Sequence, residues 1–205
     1  MKNFAILLRG QSLKKLDLII NRFDNCFIVN DFKVELSFCE KLIKGKHITH
    51  FVNSQKSASL YKKDYIRLNI KNIQFAFTKK HLENKHWKKK IRGIEKYYIS
   101  IGFKPSYIPN KYYEEILRIR NTGVTSILYV SEIIKPKNIW LIGLDFYYSN
   151  YMIKKNSSHH LNKSKDIDLY GSFIKIVKIH PNIQYHILSS YKKFPKLPNL
   201  NIIKH

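Results

Sequence analysis

Short apolar runs alternate with amphipathic segments through the first part of this 205-residue chain. Runs that are short, rich in β-branched and aromatic residues and bounded by turn residues are typical of strands covered on both faces. They occupy residues 4–8, 26–30, 48–53 and 73–77. Strands separated by helical segments predict a mostly parallel sheet flanked by helices.

The same pattern continues in the second half, where residues 139–144 and 183–188 read as strands. Helices are predicted over residues 12–20, 81–98, 111–120, 122–134 and 164–178. Ser12 and Thr122 are the predicted N-caps of two of these helices. The tail at about 191–205 contains prolines and lysines, and we expect it to be extended or loose.

Composition makes this a folded protein, since 44% of residues are hydrophobic and 14% aromatic. The length fits one domain over residues 1–205. The net charge of +24 favours anionic partners, although a solvated lysine surface explains the excess equally well. The basic-aromatic cluster at residues 85–90 could contact nucleic acid, but a solvated helix face is the favoured interpretation, so we expect no nucleic-acid partner.

Two cysteines, Cys26 and Cys39, are too few for a disulfide scaffold or a zinc site and are predicted to be buried thiols. No apolar run reaches the length of about 20 residues that crosses a bilayer, and no signal-peptide pattern is present, so a cytoplasmic protein is expected. Asp166 and Asp168 form a short D-x-D pattern, which we interpret as helix-start charge, and no metal ligand is predicted.

Polar groups follow directly on the strand at 139–144, which ends in a glycine, an acid and several tyrosines. In open α/β sheets, ligands bind beyond the carboxyl ends of the strands. The candidates here are Asp145, Tyr147, Tyr148 and Tyr151. Near the start of the chain, Gly10 and Ser12 follow a strand and precede a helix, where backbone amides can meet an anion, although the turn lacks a full dinucleotide-binding fingerprint.

Several short motifs occur in one order along the chain. Residues 10–14 read GQSLK, 142–147 read IGLDFY, 120–124 read RNTGV and 164–165 read SK, while Asn30 and Asn53 each end a predicted strand. This series resembles the glycosyltransferase family 42 sialyltransferases of bacterial lipooligosaccharide synthesis. Their corresponding motifs are G-P-S-L-K, G-I-D-F-Y, R-I-T-S-G-V and Ser-Lys.

The resemblance implies a Rossmann-like three-layer sandwich, a metal-independent GT-A-like variant, which in this chain would have a short lid. It implies inverting transfer of sialic acid, or a related keto sugar acid, from its CMP-activated form to a glycan hydroxyl, with no cofactor. The residues that would bind the nucleotide sugar are Arg9, Gly10, Ser12, Asn30, Asn53, Thr122, Gly123 and Asp145. Arg9 replaces a small polar residue of the family, so it could contact phosphate or belong to the basic surface.

The resemblance also implies catalytic residues. Tyr147 and Tyr151 would hydrogen-bond the departing phosphate, and Arg120 opens the third motif. The family's catalytic histidine aligns with Lys163, a poor base when charged. His160 is the favoured substitute, with His159 close by, and a solvated loop is the alternative for this segment.

The lid at about 148–163 is shorter than in the family, which leaves fewer residues to exclude water. The implied acceptor is lipooligosaccharide or capsule glycan, with peripheral contact to the inner membrane and a homo-oligomer as further expectations. Two other functions remain open: a catalytically impaired homologue that binds nucleotide or glycan, and a basic nucleic-acid-binding protein.

Overall fold

The strands form one open sheet in the computed structural model, which describes residues 2–53, 60–144, 169–189 and 193–203. Every strand pair in this part of the chain is parallel. The strands are β1 (Asn3–Leu7), β2 (Asn25–Val29), β3 (His47–Val52), β4 (Asn72–Thr78), β5 (Ser106–Ile108), β6 (Asn138–Ile142), β7 (Gln184–Leu188) and β8 (Leu200–Ile202).

Helices cover both faces of this sheet. The α-helices are α1 (Lys33–Ile43), α2 (Lys62–Arg67), α3 (Lys85–Ser100), α4 (Tyr113–Ile119), α5 (Thr122–Tyr129) and α6 (Leu169–Ile179). Helices of 3₁₀ type span Gln11–Arg22, Lys79–Glu83 and Asn110–Tyr112, and a π-helical turn, Val130–Ile134, extends α5. None of the helices in the described ranges has both the length and the apolar composition that crossing a bilayer requires.

The strand period of two divides the buried side chains between two cores. In β1, Ala5 and Leu7 join the core beneath the first 3₁₀ helix, α1 and α3, whereas Ile6 joins the core beneath α4, α5 and α6. Because both faces are buried, the strands read as continuous apolar runs. Helix, sheet and helix make three layers, as the sequence predicts.

The strand order is β5-β4-β3-β2-β1-β6-β7-β8. The chain first builds outward from β1 through β2 to β5, and then returns to the other side of β1 with β6. This reversal places a topological switch point between β1 and β6, and in open α/β sheets ligands bind beyond the carboxyl ends of the strands at such a point. The predicted Rossmann-like α/β class is confirmed.

Three local predictions need correction. Ser12 does not cap a helix, because the 3₁₀ helix begins at Gln11 with Gly10 as its N-cap. Thr122 is the first residue of α5, and the cap is Asn121. The end of the chain is more ordered than predicted, because β8 pairs with β7 and the buried Asn199 side chain donates to three backbone carbonyls.

Gly143 joins the two sides of the switch point through backbone contacts. Its carbonyl accepts from the Gly10 amide at 3.1 Å, and its own amide donates to the Ser12 hydroxyl at 2.9 Å. Its φ is +77°, and a Cβ placed there would lie 2.5 Å from the Leu8 carbonyl oxygen. Only glycine satisfies both the dihedral angle and the space.

We therefore expect G143A to destabilise the fold more than G102A. Gly102 also has a positive φ, +96°, but a Cβ there meets nothing within 4 Å. The control should lose about 1 kcal/mol from the left-handed backbone alone. G143A should lose at least about 2 kcal/mol more, because backbone atoms must move apart, and urea unfolding measures both. Equal losses would show that the contact with Leu8 is unimportant.

Candidate functional site

Polar residues from separate strands meet at the carboxyl edge of the sheet. Asn30 directly follows β2, and Asn53 directly follows β3. The Asn53 side-chain amide donates a hydrogen bond to the Thr122 hydroxyl at the start of α5. Three of the residues predicted to bind the nucleotide sugar therefore lie at one edge, and two of them are in direct contact.

The start of α5 faces this edge. The Asn121 side chain accepts from the Val124 amide at 3.0 Å, which caps the helix. The first amides of a helix have no acceptor within it, and the helix dipole makes this end positive. A Cβ on Gly123 would lie 3.0 Å from a methyl carbon of Leu8, so glycine lets the helix approach β1 closely. An anion would be stabilised at this position.

Gly10 and Ser12 already have structural partners. The Gly10 amide and the Ser12 hydroxyl both bond the backbone of Gly143, and Ser12 is buried. The Ser12 oxygen accepts in this contact, so its own hydrogen is still available for donation. The motif shared with the sialyltransferases thus has a packing role in this fold, and its part in nucleotide binding stays a prediction.

Arg9 forms an ion pair that the sequence does not predict. Its Nε donates to Oε1 of Glu35, in the first turn of α1, at 2.8 Å. The Glu35 side chain is 0% exposed and that of Arg9 is 16% exposed. The other carboxylate oxygen of Glu35 is buried and has no hydrogen-bond partner. Arg9 is therefore held at the site by a buried acid, rather than lying loosely on a basic surface.

Arg120 lies at the C-cap of α4, next to the cap of α5. Its φ is +47°, and its Nε donates to the Leu117 carbonyl at 3.0 Å. The guanidinium is exposed, as expected for a group that meets a ligand from solvent, and its catalytic role stays a prediction.

Asn30 has a left-handed backbone with φ of 60°. Its carbonyl accepts from Nε2 of the buried His50 at 2.6 Å, and Nδ1 of His50 lies 2.8 Å from the Tyr65 hydroxyl. Burial lowers the pKa of His50 from 6.5 to about 4, although the bond to Asn30 and the charge of Asp31 favour the protonated ring. The ring is neutral at pH 7.

The remaining predicted site residues lie outside the described residues. They are Asp145, Tyr147, Tyr151, His160 and Lys163, together with the lid at about 148–163 and the D-x-D pattern at Asp166 and Asp168. Among the residues that are described, no group of three or more histidine, cysteine or acidic side chains is arranged to hold a metal ion.

The basic cluster at residues 85–90 forms the first turns of α3. Its lysines are exposed except Lys90, whose ammonium lies 4.7 Å from the centroid of the Trp87 ring. Trp87 packs against the core. The Trp87 ring of the cluster is thus partly buried against the core. This fits the solvated helix face that the sequence favours.

A separate cavity of about 380 Å³ opens at the opposite edge of the sheet. Its lining includes Asn25, His47 and Asn72, each the first residue of its strand. This is the amino-terminal edge, so the cavity is remote from the switch point. The polar side chains at the carboxyl edge, and not this cavity, define the candidate site.

The strand order and the helices on both faces define the class of the protein: it has an open, parallel, Rossmann-like α/β fold with its topological switch point between β1 and β6. Comparison with solved structures then finds particular proteins with a similar fold. The structure is similar to the sialyltransferase CstII from Campylobacter jejuni in complex with the substrate analogue CMP-3FNeuAc. The sequence identity is 18% and the TM-score 0.54, over 92% of this chain and 81% of that chain.

CstII in complex with a trisaccharide acceptor and CMP is similarly related, at 17% identity and a TM-score of 0.55 over 91% of this chain and 81% of that chain. A CstII variant in complex with CMP gives 19% identity and a TM-score of 0.55 over 92% and 81%. No protein-family model and no curated protein matches the sequence. The resemblance to family 42 sialyltransferases is thus confirmed at the level of the fold.

We expect R9A to be far more destabilising than E35Q. Removing Arg9 leaves a buried carboxylate without its partner, which costs about 3–5 kcal/mol. E35Q leaves a partly exposed arginine that water can reach, and the double variant R9A/E35Q should recover much of the loss. Urea unfolding of the three variants measures the coupling.

The pair Arg92–Glu95, at 3.2 Å on the surface of α3, is the control for this cycle. R92A should lose no more than about 1 kcal/mol, because water screens an exposed ion pair. If R9A were as mild as R92A, the Arg9–Glu35 pair would have no special role in the fold.

The neutral, buried His50 predicts a loss of stability in mild acid. In the unfolded chain the ring takes up a proton near pH 6.5, but in the folded protein only near pH 4. The unfolded state therefore binds more protons between these values, and the free energy of unfolding falls as the pH is lowered through this window, by up to about 3 kcal/mol. Unfolding curves at successive pH values, compared with those of H50Q, isolate this contribution. Parallel curves for the two proteins would contradict it.

Proposed function

We propose that the chain is a sialyltransferase-type glycosyltransferase. It transfers sialic acid, or a related keto sugar acid, from the CMP-activated donor to a glycan hydroxyl, with inversion and without a metal. The observation that carries the proposal is the hydrogen bond between Asn53 and Thr122. It joins the end of β3 to the start of α5 at the edge where a nucleotide would bind, in a fold whose solved neighbours contain CMP.

The described residues suit the donor's nucleotide. The amides of Asn30 and Asn53 both donate and accept hydrogen bonds, as a cytosine and a ribose require. The positive end of α5 favours the phosphate, and Arg9 adds a cationic group held by Glu35. The net charge of +24 favours a donor that carries both a carboxylate and a phosphate.

Departure of CMP leaves negative charge on the phosphate. Without a metal, positioned O–H and N–H donors must stabilise that charge, and we assign this role to Tyr147 and Tyr151 from the family resemblance, with Arg120 of the third motif as a further catalytic residue. His160 or Lys163 would take the proton from the acceptor hydroxyl. The acceptor would be a lipooligosaccharide or capsule glycan at the cytoplasmic face of the inner membrane.

A second candidate function is nucleotide binding without transfer. It is favoured by one observation, the lysine at position 163 where the family has a histidine. A lysine with its ordinary pKa stays charged near neutral pH and cannot accept a proton. This alternative shares the CMP site and differs only in turnover.

The direct test is incubation of the purified protein with CMP-sialic acid and lactose-type acceptors, with and without a chelator. Transfer that is insensitive to the chelator is expected. CMP binding measured by calorimetry, without transfer or donor hydrolysis, would favour the second candidate. If neither binding nor turnover occurred, both functions would be wrong.

At residue level, we expect T122V to weaken CMP binding about five- to tenfold. Valine keeps the shape of threonine but removes the acceptor of the Asn53 amide, which then loses this orienting contact with α5. Calorimetry with CMP measures the change.

The matched control is T125V, one turn later in the same helix and also buried. Its CMP affinity should stay within about twofold of the original protein. If both variants lost affinity equally, a general effect on α5 would explain the result. The proposed role of Thr122 at the site would then be wrong.

A further inference from the structure

His50 is a polar residue in an otherwise apolar core layer. It lies in β3 between Ile48 and Val52, whose side chains point to the same face and join the core beneath α1 and α3. His50 itself is 0% exposed. A buried polar group is costly unless it is hydrogen-bonded, so the contacts of this ring have to account for its place there.

Both ring nitrogens have partners, and these partners define the tautomer. Nε2 lies 2.6 Å from the Asn30 carbonyl oxygen, which can only accept, so Nε2 carries the hydrogen. Nδ1 of the neutral ring then accepts from the Tyr65 hydroxyl at 2.8 Å. Tyr65 in turn contacts the Tyr98 hydroxyl at 3.2 Å, and both tyrosines are buried. The chain of hydrogen bonds therefore has one end at Asn30.

Asn30 needs such support because its backbone is unusual. Its φ of 60° is left-handed, which costs an L-residue roughly 1–2 kcal/mol, although asparagine tolerates it better than most. Its amide donates to the Phe51 carbonyl at 2.8 Å, and its carbonyl accepts from His50. Both backbone polar groups are thus bound to β3, which determines where the Asn30 side chain leaves the sheet edge.

We propose that His50 is a positioning residue for nucleotide binding, acting through the Asn30 carbonyl. This inference rests on the proposed function, in which Asn30 contacts the nucleotide. His50 itself is buried beneath the edge and does not touch the ligand. Loss of its Nε2–H bond releases the Asn30 peptide from its left-handed conformation, and the side-chain amide then has to be ordered again on binding.

The test compares H50Q with H50N by CMP calorimetry. A glutamine amide reaches the position of Nε2 and can donate to the Asn30 carbonyl, whereas an asparagine amide reaches only the position of Nδ1, on the Tyr65 side. H50Q should keep CMP affinity within about threefold, and H50N should lose about tenfold or more. Thermal unfolding of the same samples shows that each variant is folded at the temperature of the titration.

A second pair gives the same comparison with milder changes. Y65F removes the hydroxyl that holds Nδ1, and Y185F removes an equally buried hydroxyl, which contacts Ser131 at 2.8 Å near the amino-terminal edge. Both should lower the unfolding temperature. Only Y65F should weaken CMP binding, by about three- to fivefold. Only this change removes the hydrogen bond to Nδ1 of His50, which fixes the ring hydrogen on Nε2.

The outcomes separate the two hypotheses. If the original protein binds CMP but H50N matches H50Q, and Y65F matches Y185F, the positioning role is wrong while the proposed function stands. If the original protein binds no CMP, the proposed function fails and the positioning role fails with it. A loss of affinity that follows the unfolding temperature in every variant, Y185F included, would reduce His50 to a structural residue.

Discussion

The candidate site depends on one close backbone approach, that of Gly143 to the Leu8–Gly10 segment. The connections that follow parallel strands on the two sides of a switch point run in opposite directions. A contact between the ends of these strands is therefore needed to keep them together. Here the Gly143 amide and carbonyl bond Ser12 and Gly10, in a space that has no room for a Cβ. The start of the first 3₁₀ helix is thereby joined to the end of β6 by two hydrogen bonds at the switch point.

Around this contact, each candidate binding residue is held by a partner from a different element. Asn30 is bound to β3 through His50, Asn53 contacts α5 through Thr122, and Arg9 is paired with Glu35 of α1. Such cross-links cost stability when they are incomplete, as the unpartnered oxygen of Glu35 illustrates. They reduce the ordering that binding a ligand would otherwise require.

The sequence predicts the strands that have their own apolar run, because burial on both faces leaves a continuous pattern. β5 and β8 have three residues each and lie at the two edges of the sheet, so their pairing, not their composition, makes them strands. The cap of α5 differs from the prediction by one residue because asparagine and threonine are both good caps. Glu35 and His50 could not be found from local pattern, since their partners Arg9 and Asn30 are 26 and 20 residues away.

The motifs shared with the sialyltransferases divide into two kinds, and only one kind carries weight for function. Ser12, Gly123 and Gly143 are explained by contacts around the switch point, so any protein with this fold and this close approach would favour them. Asn30 is explained in part by its left-handed backbone, which asparagine tolerates better than most residues. Asn53 is different, because its backbone is not left-handed and apolar or charged residues could end β3 equally well. Since packing does not require an asparagine there, the match at Asn53 is the stronger argument for the proposed nucleotide site at this edge.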